Sequence, residues 1–360
     1  MENQNKIELI KQYEKLMEET IITPSDDYNA KMQPIRNLIN KILPKSLFRF
    51  RTFNEFSIDS FWKDSIRYSQ PDSFNDPHDC LIYIDKELII EKIRTDLLPQ
   101  NLEIIFKKWH NWEQQPDDFF LPYKKESPEI QKIAKELSNN KIDFYKELET
   151  NPDKYHFAEE QIIKILEKVE KTMYDHFRTH HKIACFSEDI YSTLMWAHYA
   201  NYHKGFALEY DTEKMQSMCF KCEKYSNCND FTIINLYPII YRNKRYDATA
   251  LSEFFIINQF LIKLGLPINY NMPDQLAYTK TYLYKGKNWE YENEWRSILV
   301  CNNLQKKEIF VKPKAVYLGE NISHEHQSII VNCAKIHDIE IYKMKIDIYS
   351  EEFKLTYEKF

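Results

Sequence analysis

The stretch Tyr282–Val300, with the sequence YLYKGKNWEYENEWRSILV, constrains the fold more than any other part of the chain. Lysines and aromatic residues lead to Trp289, and a strand-like run then carries Glu292, Glu294 and Arg296 at every second position. Side chains two residues apart on a strand point to the same face, so these three are predicted to share one face. An arginine next to two carboxylates relieves part of their repulsion. The spacing leaves two interpretations open, a functional cleft or the solvated face of an edge strand.

Composition argues against several classes of protein. The chain has 360 residues and a formal net charge of −6, so no overall positive field attracts nucleic acid or an anionic membrane. Its four glycines, Gly205, Gly265, Gly286 and Gly319, are too far apart to form a dinucleotide-binding loop or a Walker-type phosphate loop. Any nucleotide is therefore expected to bind without a glycine-rich loop.

The apolar runs indicate neither export nor membrane insertion. No run approaches the roughly 18 consecutive apolar residues of a membrane span. The sequence MENQNKIELIKQYEK at the N-terminus lacks the apolar segment of a signal peptide. We therefore expect a cytoplasmic protein without a membrane partner.

The cysteines predict reduced thiols rather than disulfides. There are seven, an odd number, and no export signal accompanies them. Cys219, Cys222 and Cys228 form a CxxC pair with a third cysteine, whereas a structural zinc site needs four ligands, usually as two pairs. Cys185 or a histidine could supply the fourth ligand. We expect no bound metal, with a zinc site as the alternative.

The order of the patterns predicts an α+β fold, with a central, mostly antiparallel sheet, flanking helices and a large helical insertion. Residues 1–45 have helical apolar spacing and are expected to form an N-terminal extension. Alternating, strand-like patterns place the core domain at 46–84 and 181–348. Residues 85–180 repeat apolar positions every three or four residues with charged outer faces, which predicts the insertion.

Helix boundaries can be predicted from capping residues near the C-terminal half of the chain. Asp247 is expected to begin a helix that runs to Gly265, and Ser323 a helix that ends at His337. A helix is also expected at 273–284. Strands are expected at 315–318 and 339–346.

The candidate site residues lie in five segments of the predicted core domain. These are a strand at 46–53 with one basic face, a turn at 73–79, a strand at 182–187, a helix at 191–204 and the stretch Tyr282–Val300. The candidates, in chain order, are Arg49, Arg51, Asn75, Asp76, Ser187, Trp196, His198, Tyr199, His203, Trp289, Glu292, Glu294 and Arg296.

Several candidates also have an ordinary structural explanation. Asn75 and Asp76 precede a proline, so making the turn explains them as well as a role in a site does. Trp196 lies on the apolar face of its helix, where a core position is the more common outcome. His198 and His203 are harder to explain in this way, because a buried histidine needs partners for both ring nitrogens.

Six motifs resemble those of a bacterial family catalogued as domain of unknown function 2971. They are LFRFR, SFNDPHD, ACFSE, MWAHYANYHKGFALEYD, KNWEYENEWR and VYLGENIS, and they extend from about residue 46 to residue 320. The chain departs from the family in having His78 and Asp79 after the NDP turn, where family members commonly have a phenylalanine and an acidic residue. The family carries no established activity, so this resemblance implies a fold but no reaction.

A more distant similarity suggests chemistry. ADP-ribosyltransferases of the arginine–serine–glutamate type have an arginine on the first strand, a serine-bearing strand and an E-x-E strand, and they bind NAD without a glycine-rich loop. The resemblance implies that Glu294 is the catalytic glutamate and that Glu292 activates the acceptor. It also implies that Arg51 or Arg49 binds phosphate or ribose and that Ser187 supports the site. Tyr199 or Trp196 would then stack on nicotinamide.

This similarity has gaps, since the chain lacks a clear Ser-Thr-Ser triplet and needs a large insertion between the arginine and serine strands. NAD is expected as a substrate, an unidentified protein or nucleic acid as the acceptor, and a defence or toxin effector as the biological setting.

Two alternatives remain open at this point. In the first, the chain is a nucleotide- or nucleic-acid-binding effector module without catalysis, whose aromatic residues and arginines form a stacking and phosphate groove. In the second, Asp76, Asp79, Glu292 and Glu294 hold a metal ion for phosphodiester hydrolysis, although the chain lacks the usual E-x-K step.

Overall fold

The computed structural model describes residues 2–93, 95, 163, 167–168, 170–179, 181–216, 235–263, 271–300 and 308–360. The helices are α1 (Glu2–Glu19), α2 (Tyr28–Ile42), α3 (Glu55–Trp62), α4 (Lys86–Lys92), α5 (Thr193–Tyr199), α6 (Thr212–Gln216), α7 (Thr249–Lys263), α8 (Ala277–Thr281) and α9 (His324–Ile336). Residues 170–179 are also helical. The strands are β1 (Ser46–Arg51), β2 (Ser65–Arg67), β3 (His181–Ser187), β4 (Phe206–Asp211), β5 (Leu236–Pro238), β6 (Ile240–Arg242), β7 (Tyr284–Gly286), β8 (Glu294–Val300), β9 (Glu308–Phe310), β10 (Ala315–Leu318), β11 (Glu340–Ile346) and β12 (Leu355–Lys359).

The chain divides into two compact units. The first comprises Met1–Leu81, Phe177–Tyr246 and Leu276–Phe360, and the second comprises Ile82–His176 and Asp247–Gln275. Most of the predicted insertion at 85–180 lies outside the described residues, as do Cys219, Cys222 and Cys228.

Eight of the described strands form one sheet in the first unit, in the order β12-β11-β10-β4-β1-β3-β8-β5. The neighbours pair antiparallel, apart from β10 and β11, which run parallel. The predicted α+β fold with a mostly antiparallel sheet is therefore confirmed.

One face of this sheet is covered by helices with a narrow apolar stripe. In α2 the buried residues Met32, Ile35, Ile39 and Ile42 recur every three or four positions, so they lie on one side of the helix. They join one hydrophobic core that also includes Leu47 of β1. Burial of each such side chain contributes about 1.5–3 kcal/mol. This core holds the sheet in place without any charged group.

The sheet opens between two of its central strands. β1 pairs with β4 along its whole length, from Ser46 opposite Asp211 to Arg51 opposite Phe206. Its pairing with β3 is at Phe48, opposite Ser187. Farther along β3, Ile183 pairs instead with Ser69, which follows β2 in the chain. The divergence of β1 from β3 leaves space inside the sheet, and the cavity described below lies there.

The stretch Tyr282–Val300 differs from its predicted form in one important respect. Glu292 does not lie on the strand, because residues Lys287–Glu292 form a 3-10 turn and β8 begins at Glu294. Asn293 between them has a left-handed backbone, with φ of 43°, which breaks the strand alternation. The prediction that Glu292 shares a strand face with Glu294 was therefore wrong, although the two carboxylates do come together by another route.

Other boundaries also differ from expectation. The helix predicted at 191–204 ends at Tyr199, since Asn201, Tyr202 and His203 adopt left-handed φ angles of 47°, 56° and 64°. The helix predicted at 273–284 is limited to α8, and strand β12 was not predicted. Asp247 accepts a hydrogen bond from the Thr249 backbone at 2.9 Å, and α7 begins at Thr249, two residues after its predicted start.

The second unit packs α4 beside α7. The Asp85 backbone donates to Thr249 Oγ1 at 2.8 Å, and Lys86 Nζ lies 2.7 Å from Glu170 Oε2. Ile89 and Ile256 are buried within this unit. Among the helices that the structure describes, none has the length and apolar character needed to cross a membrane.

Candidate functional site

Five charged side chains meet in the first unit with almost no access to water. None of them is more than 7 % exposed, which is unusual because burying a charge is costly unless it is paired. They come from the turn after β2, from β7, from the 3-10 turn and from β8, and they are Asp79, Lys285, Glu292, Glu294 and Arg296.

Arg296 is the fixed centre of one half of this cluster. Its Nε lies 2.6 Å from Glu294 Oε1, its Nη2 lies 2.6 Å from Asp79 Oδ2, and its Nη1 donates to the Tyr282 carbonyl at 2.9 Å. A guanidinium held on three sides by acceptors has little freedom to reorient. Arg296, Glu294 and Asp79 therefore form a rigid arrangement, and Lys285 supplies the second positive charge that balances the two carboxylates.

Lys285 connects this arrangement to Glu292. Its Nζ lies 2.9 Å from Glu294 Oε2, 2.5 Å from Glu292 Oε2 and 3.4 Å from Asp79 Oδ2. Burial alone would lower the pKa of Lys285, but the carboxylates of Glu294 and Asp79 raise it well above the usual value. The ammonium group also lies 5.2 Å from the ring centroid of Trp289. Lys285 is thus a permanent positive charge.

Glu292 occupies the cavity side of the cluster. Tyr199 donates its hydroxyl to Glu292 Oε1 at 2.5 Å, and Ser187 Oγ donates to the Glu292 carbonyl at 2.6 Å. Burial and the negative charge of Glu294 raise the pKa of Glu292 to about 7. A carboxyl group that titrates near neutral pH can accept a proton at one step and release it at another.

Glu294, two residues along the chain, behaves in the opposite way. Burial alone would raise the pKa of Glu294, but Arg296 and Lys285 hold it well below the usual range. Two nearby carboxylates whose environments separate their pKa values commonly divide acid–base work between them. Glu292 is the one that can exchange a proton, and Glu294 is the one that stays charged.

A cavity of about 310 Å³ lies beside Glu292, a size within the usual range for small-molecule sites. Its walls combine aromatic rings with charged and polar groups. Its lining residues include Phe48, Arg49, Phe50, Arg51, Ser69, Phe74, Asn75, Asp79, Cys185, Phe186, Ser187, Tyr199, Lys285, Glu292 and Glu294.

Two arginines from β1 line this cavity without a counter-charge. Arg49 is 7 % exposed, donates to the Arg67 carbonyl at 3.0 Å and lies over the Phe186 ring. Burial and the charge of Arg49 lower the pKa of Arg51 to about 9, so Arg51 stays protonated at neutral pH. Within the part of the chain that the structure describes, no carboxylate forms an ion pair with either arginine. The pair therefore presents to the cavity two guanidinium groups that have no ion-pair partner among the described residues.

The structure brings together seven of the residues that sequence patterns singled out. Glu292 and Glu294 line the cavity with Arg49, Arg51, Asn75, Ser187 and Tyr199. Arg296 lies behind the wall and contacts Glu294.

The remaining candidates lie elsewhere. Trp196 is fully buried in the core and donates its indole N–H to the Ile190 carbonyl at 2.7 Å. His198 is bonded through Nδ1 to the Tyr291 hydroxyl at 2.8 Å, and the ring of His203 stacks on Trp196. Asp76 accepts from the His78 backbone and so supports its turn. Trp289 lies beneath Lys285.

Sequence patterns missed Lys285 altogether and gave Asp79 a role only in the metal-binding alternative. Lys285 lies in the same stretch as the glutamates, but nothing in its spacing distinguishes it from Lys287. In the described residues, no group of three or more His, Cys, Asp or Glu side chains is arranged to hold a metal ion. Lys285 and Arg296 occupy the space among Asp79, Glu292 and Glu294 where such an ion would need to sit.

Comparison with known proteins gives one match. Residues 195–297 match the model of a family described as a protein of unknown function, DUF2971. The matched span begins in α5 and ends in β8, so it contains Tyr199, Lys285, Glu292 and Glu294. This supports the resemblance to DUF2971 carried by the sequence motifs. No curated protein and no solved structure matches the chain, and nothing in these comparisons supports the similarity to ADP-ribosyltransferases.

Proposed function

We propose that this chain is an ADP-ribosyltransferase-like enzyme that uses NAD and transfers its ADP-ribosyl group to a macromolecular acceptor. The observation that carries the proposal is the contrast between Glu292 and Glu294, one titrating near pH 7 and the other permanently ionised, beside one cavity. Such a pair suits a reaction in which a proton is moved while charge develops on the substrate.

The two arginines suggest the class of substrate. Uncompensated guanidinium groups beside a cavity are suited to phosphate oxygens, which they bind in a bidentate manner. Phe48, Phe50 and Phe186 add flat apolar surface to the cavity wall. A ligand with a pyrophosphate and an aromatic base, such as NAD, meets both requirements without a glycine-rich loop.

In this reaction the bond between nicotinamide and the ribose carbon breaks, and nicotinamide leaves as a neutral base with the bonding electron pair. The resulting positive charge on the ribose is stabilised by neighbouring carboxylate charge. An acceptor hydroxyl or amine then attacks the same carbon and gives its proton to Glu292. Glu294 remains charged throughout and keeps Lys285 in place.

Nicotinamide release from NAD, measured in the presence of a chelator with protein, RNA or DNA acceptors, tests the proposal. Glu292→Gln should lower turnover by about 10²-fold or more, because the proton acceptor is lost. Arg51→Lys should mainly weaken NAD binding, since an ammonium group cannot reproduce the guanidinium fork. Glu290→Gln is the matched control, because Glu290 is exposed in the same 3-10 turn and should leave turnover unchanged.

Equal turnover by wild type and Glu292→Gln would remove the support for catalysis by this cavity. Binding of NAD without any turnover would instead favour a nucleotide-sensing effector module, which the two arginines would serve equally well.

A further inference from the structure

Tyr199 lies between the buried carboxylate of Glu292 and the exposed amide of Asn75. Its hydroxyl oxygen is 2.5 Å from Glu292 Oε1, 3.1 Å from Asn75 Nδ2 and 3.4 Å from Asn75 Oδ1. Burial and the charge of Glu292 raise the pKa of Tyr199 well above its usual value, so the hydroxyl keeps its proton. With one proton, the hydroxyl can donate to a single acceptor at a time.

The three groups can therefore adopt two complete hydrogen-bonding patterns. When Glu292 is ionised, Tyr199 donates to it and accepts from Asn75 Nδ2. When Glu292 is protonated, its carboxylic acid donates to the Tyr199 oxygen, and the tyrosine proton turns toward Asn75 Oδ1. In both patterns Glu292 Oε1 and the Tyr199 hydroxyl stay hydrogen-bonded to each other.

We infer that Tyr199 and Asn75 form a reversible hydrogen-bond relay that positions Glu292 in both of its protonation states. Tyr199 is then a positioning residue that acts through Glu292, and Asn75 is the amide whose donor and acceptor make both states possible. The part that the relay plays in turnover rests on the proposed function, but the relay itself can be tested without turnover.

Other charged and titratable groups surround Glu292 from each neighbouring element. They are Lys285 of β7, Glu294 and Arg296 of β8, Asp79 of the turn after β2, Arg49 and Arg51 of β1, His198 of α5, Tyr241 of β6 and Tyr291 of the 3-10 turn. Tyr199→Phe removes none of these groups. A change in the titration of Glu292 in that variant therefore reports on the relay.

The experiment is an NMR titration of protein labelled with ¹³C at the glutamate carboxyl carbon, with Glu292→Gln used to assign the resonance. Tyr199→Phe should raise the titration midpoint of Glu292 by about one pH unit, because the charge-assisted hydrogen bond to the ionised carboxylate is stronger than the bond that the protonated form makes. Asn75→Leu should raise it by less, and Asn75→Gln should keep the wild-type midpoint. Tyr291→Phe is the matched control, because its hydroxyl bonds His198 and not Glu292.

A midpoint in Tyr199→Phe no higher than in Tyr291→Phe would overturn the relay. If the wild type releases no nicotinamide from NAD but the midpoint still moves, the proposed function fails and the relay stands. If NAD is turned over and the midpoint stays in place, the relay alone is wrong. Asn75 is exposed in a turn, so its variants should fold even if Tyr199→Phe does not. A midpoint that is higher in Asn75→Leu than in Asn75→Gln then supports the relay, and equal midpoints overturn it.

Discussion

The two halves of the buried charge cluster follow different physical rules. In the inner half, Arg296 is bonded to both Glu294 and Asp79 with no exposure of its own, so each charge has a fixed partner. The outer half consists of Glu292, which titrates near neutral pH, together with the neighbouring cavity arginines Arg49 and Arg51, which have no ion-pair partner among the described residues. Balanced charge indicates a structural role, whereas unbalanced charge next to a cavity indicates a ligand.

The largest expected effect comes from breaking the inner half. Arg296→Met should lower the free energy of unfolding by about 3–5 kcal/mol, because Asp79 and Glu294 would remain buried without their partner. Urea denaturation measures this loss. The matched control is Arg242→Met, since Arg242 also pairs with two carboxylates, Glu14 and Glu18, but is 34 % exposed.

The control should cost less than about 1 kcal/mol. Equal losses in Arg296→Met and Arg242→Met would mean that burial does not distinguish the inner half from an ordinary surface pair.

A second prediction compares the two carboxylates by the pH dependence of stability. The pKa of Glu292 is raised in the folded state from 4.5 to about 7, so folding loses stability as pH rises between these values. Glu292→Gln has no carboxyl group at this position and should not show this loss. The difference in the free energy of unfolding between the variant and the wild type should therefore shift in favour of the variant by on the order of 3 kcal/mol as pH rises through this window.

Glu294 should show the opposite trend. Its folded pKa is lowered from 4.5, so its contribution to stability is complete above that pH and is lost as pH falls through the folded value. The deficit of Glu294→Gln relative to wild type should therefore shrink as pH falls below 4.5, whereas near pH 7 it also reflects Glu292, whose raised pKa depends on the charge of Glu294. Thermal unfolding scans across pH measure both trends, and parallel curves for the two variants would contradict the assignment.

The smallest expected effect comes from the arginines of the outer half. Arg51→Met should raise the stability of the ligand-free protein by up to about 1 kcal/mol, because an uncompensated, partly buried charge is removed. Added pyrophosphate or NAD should stabilise the wild type but not this variant. Arg36→Met, on the surface of α2, should change neither quantity. If pyrophosphate or NAD stabilises Arg51→Met as much as it stabilises the wild type, Arg51 does not bind the ligand.

Features that depend on neighbours in the chain could be predicted from the sequence. The alternation of Ser46–Arg51 predicted β1, and Ser323 marked the start of α9, since capping and strand alternation are decided within a few residues. The same reasoning failed at Glu292, because a single left-handed residue, Asn293, ended the alternation. It also missed Lys285, whose three carboxylate partners lie on three different elements.

The sequence by itself determined the fold class, the mostly antiparallel sheet and several of the side chains from which the site is built, but not Lys285. Only the tertiary structure decided how those side chains divide the work. A pKa depends on burial and on charges within a few ångströms, and the groups around Glu292 come from positions as distant as Asn75, Tyr199 and Lys285. The cavity likewise depends on the divergence of β1 from β3, two strands separated by more than a hundred residues in the chain. Strand pairing over such a distance is set by the packing of the whole sheet, which no local pattern contains.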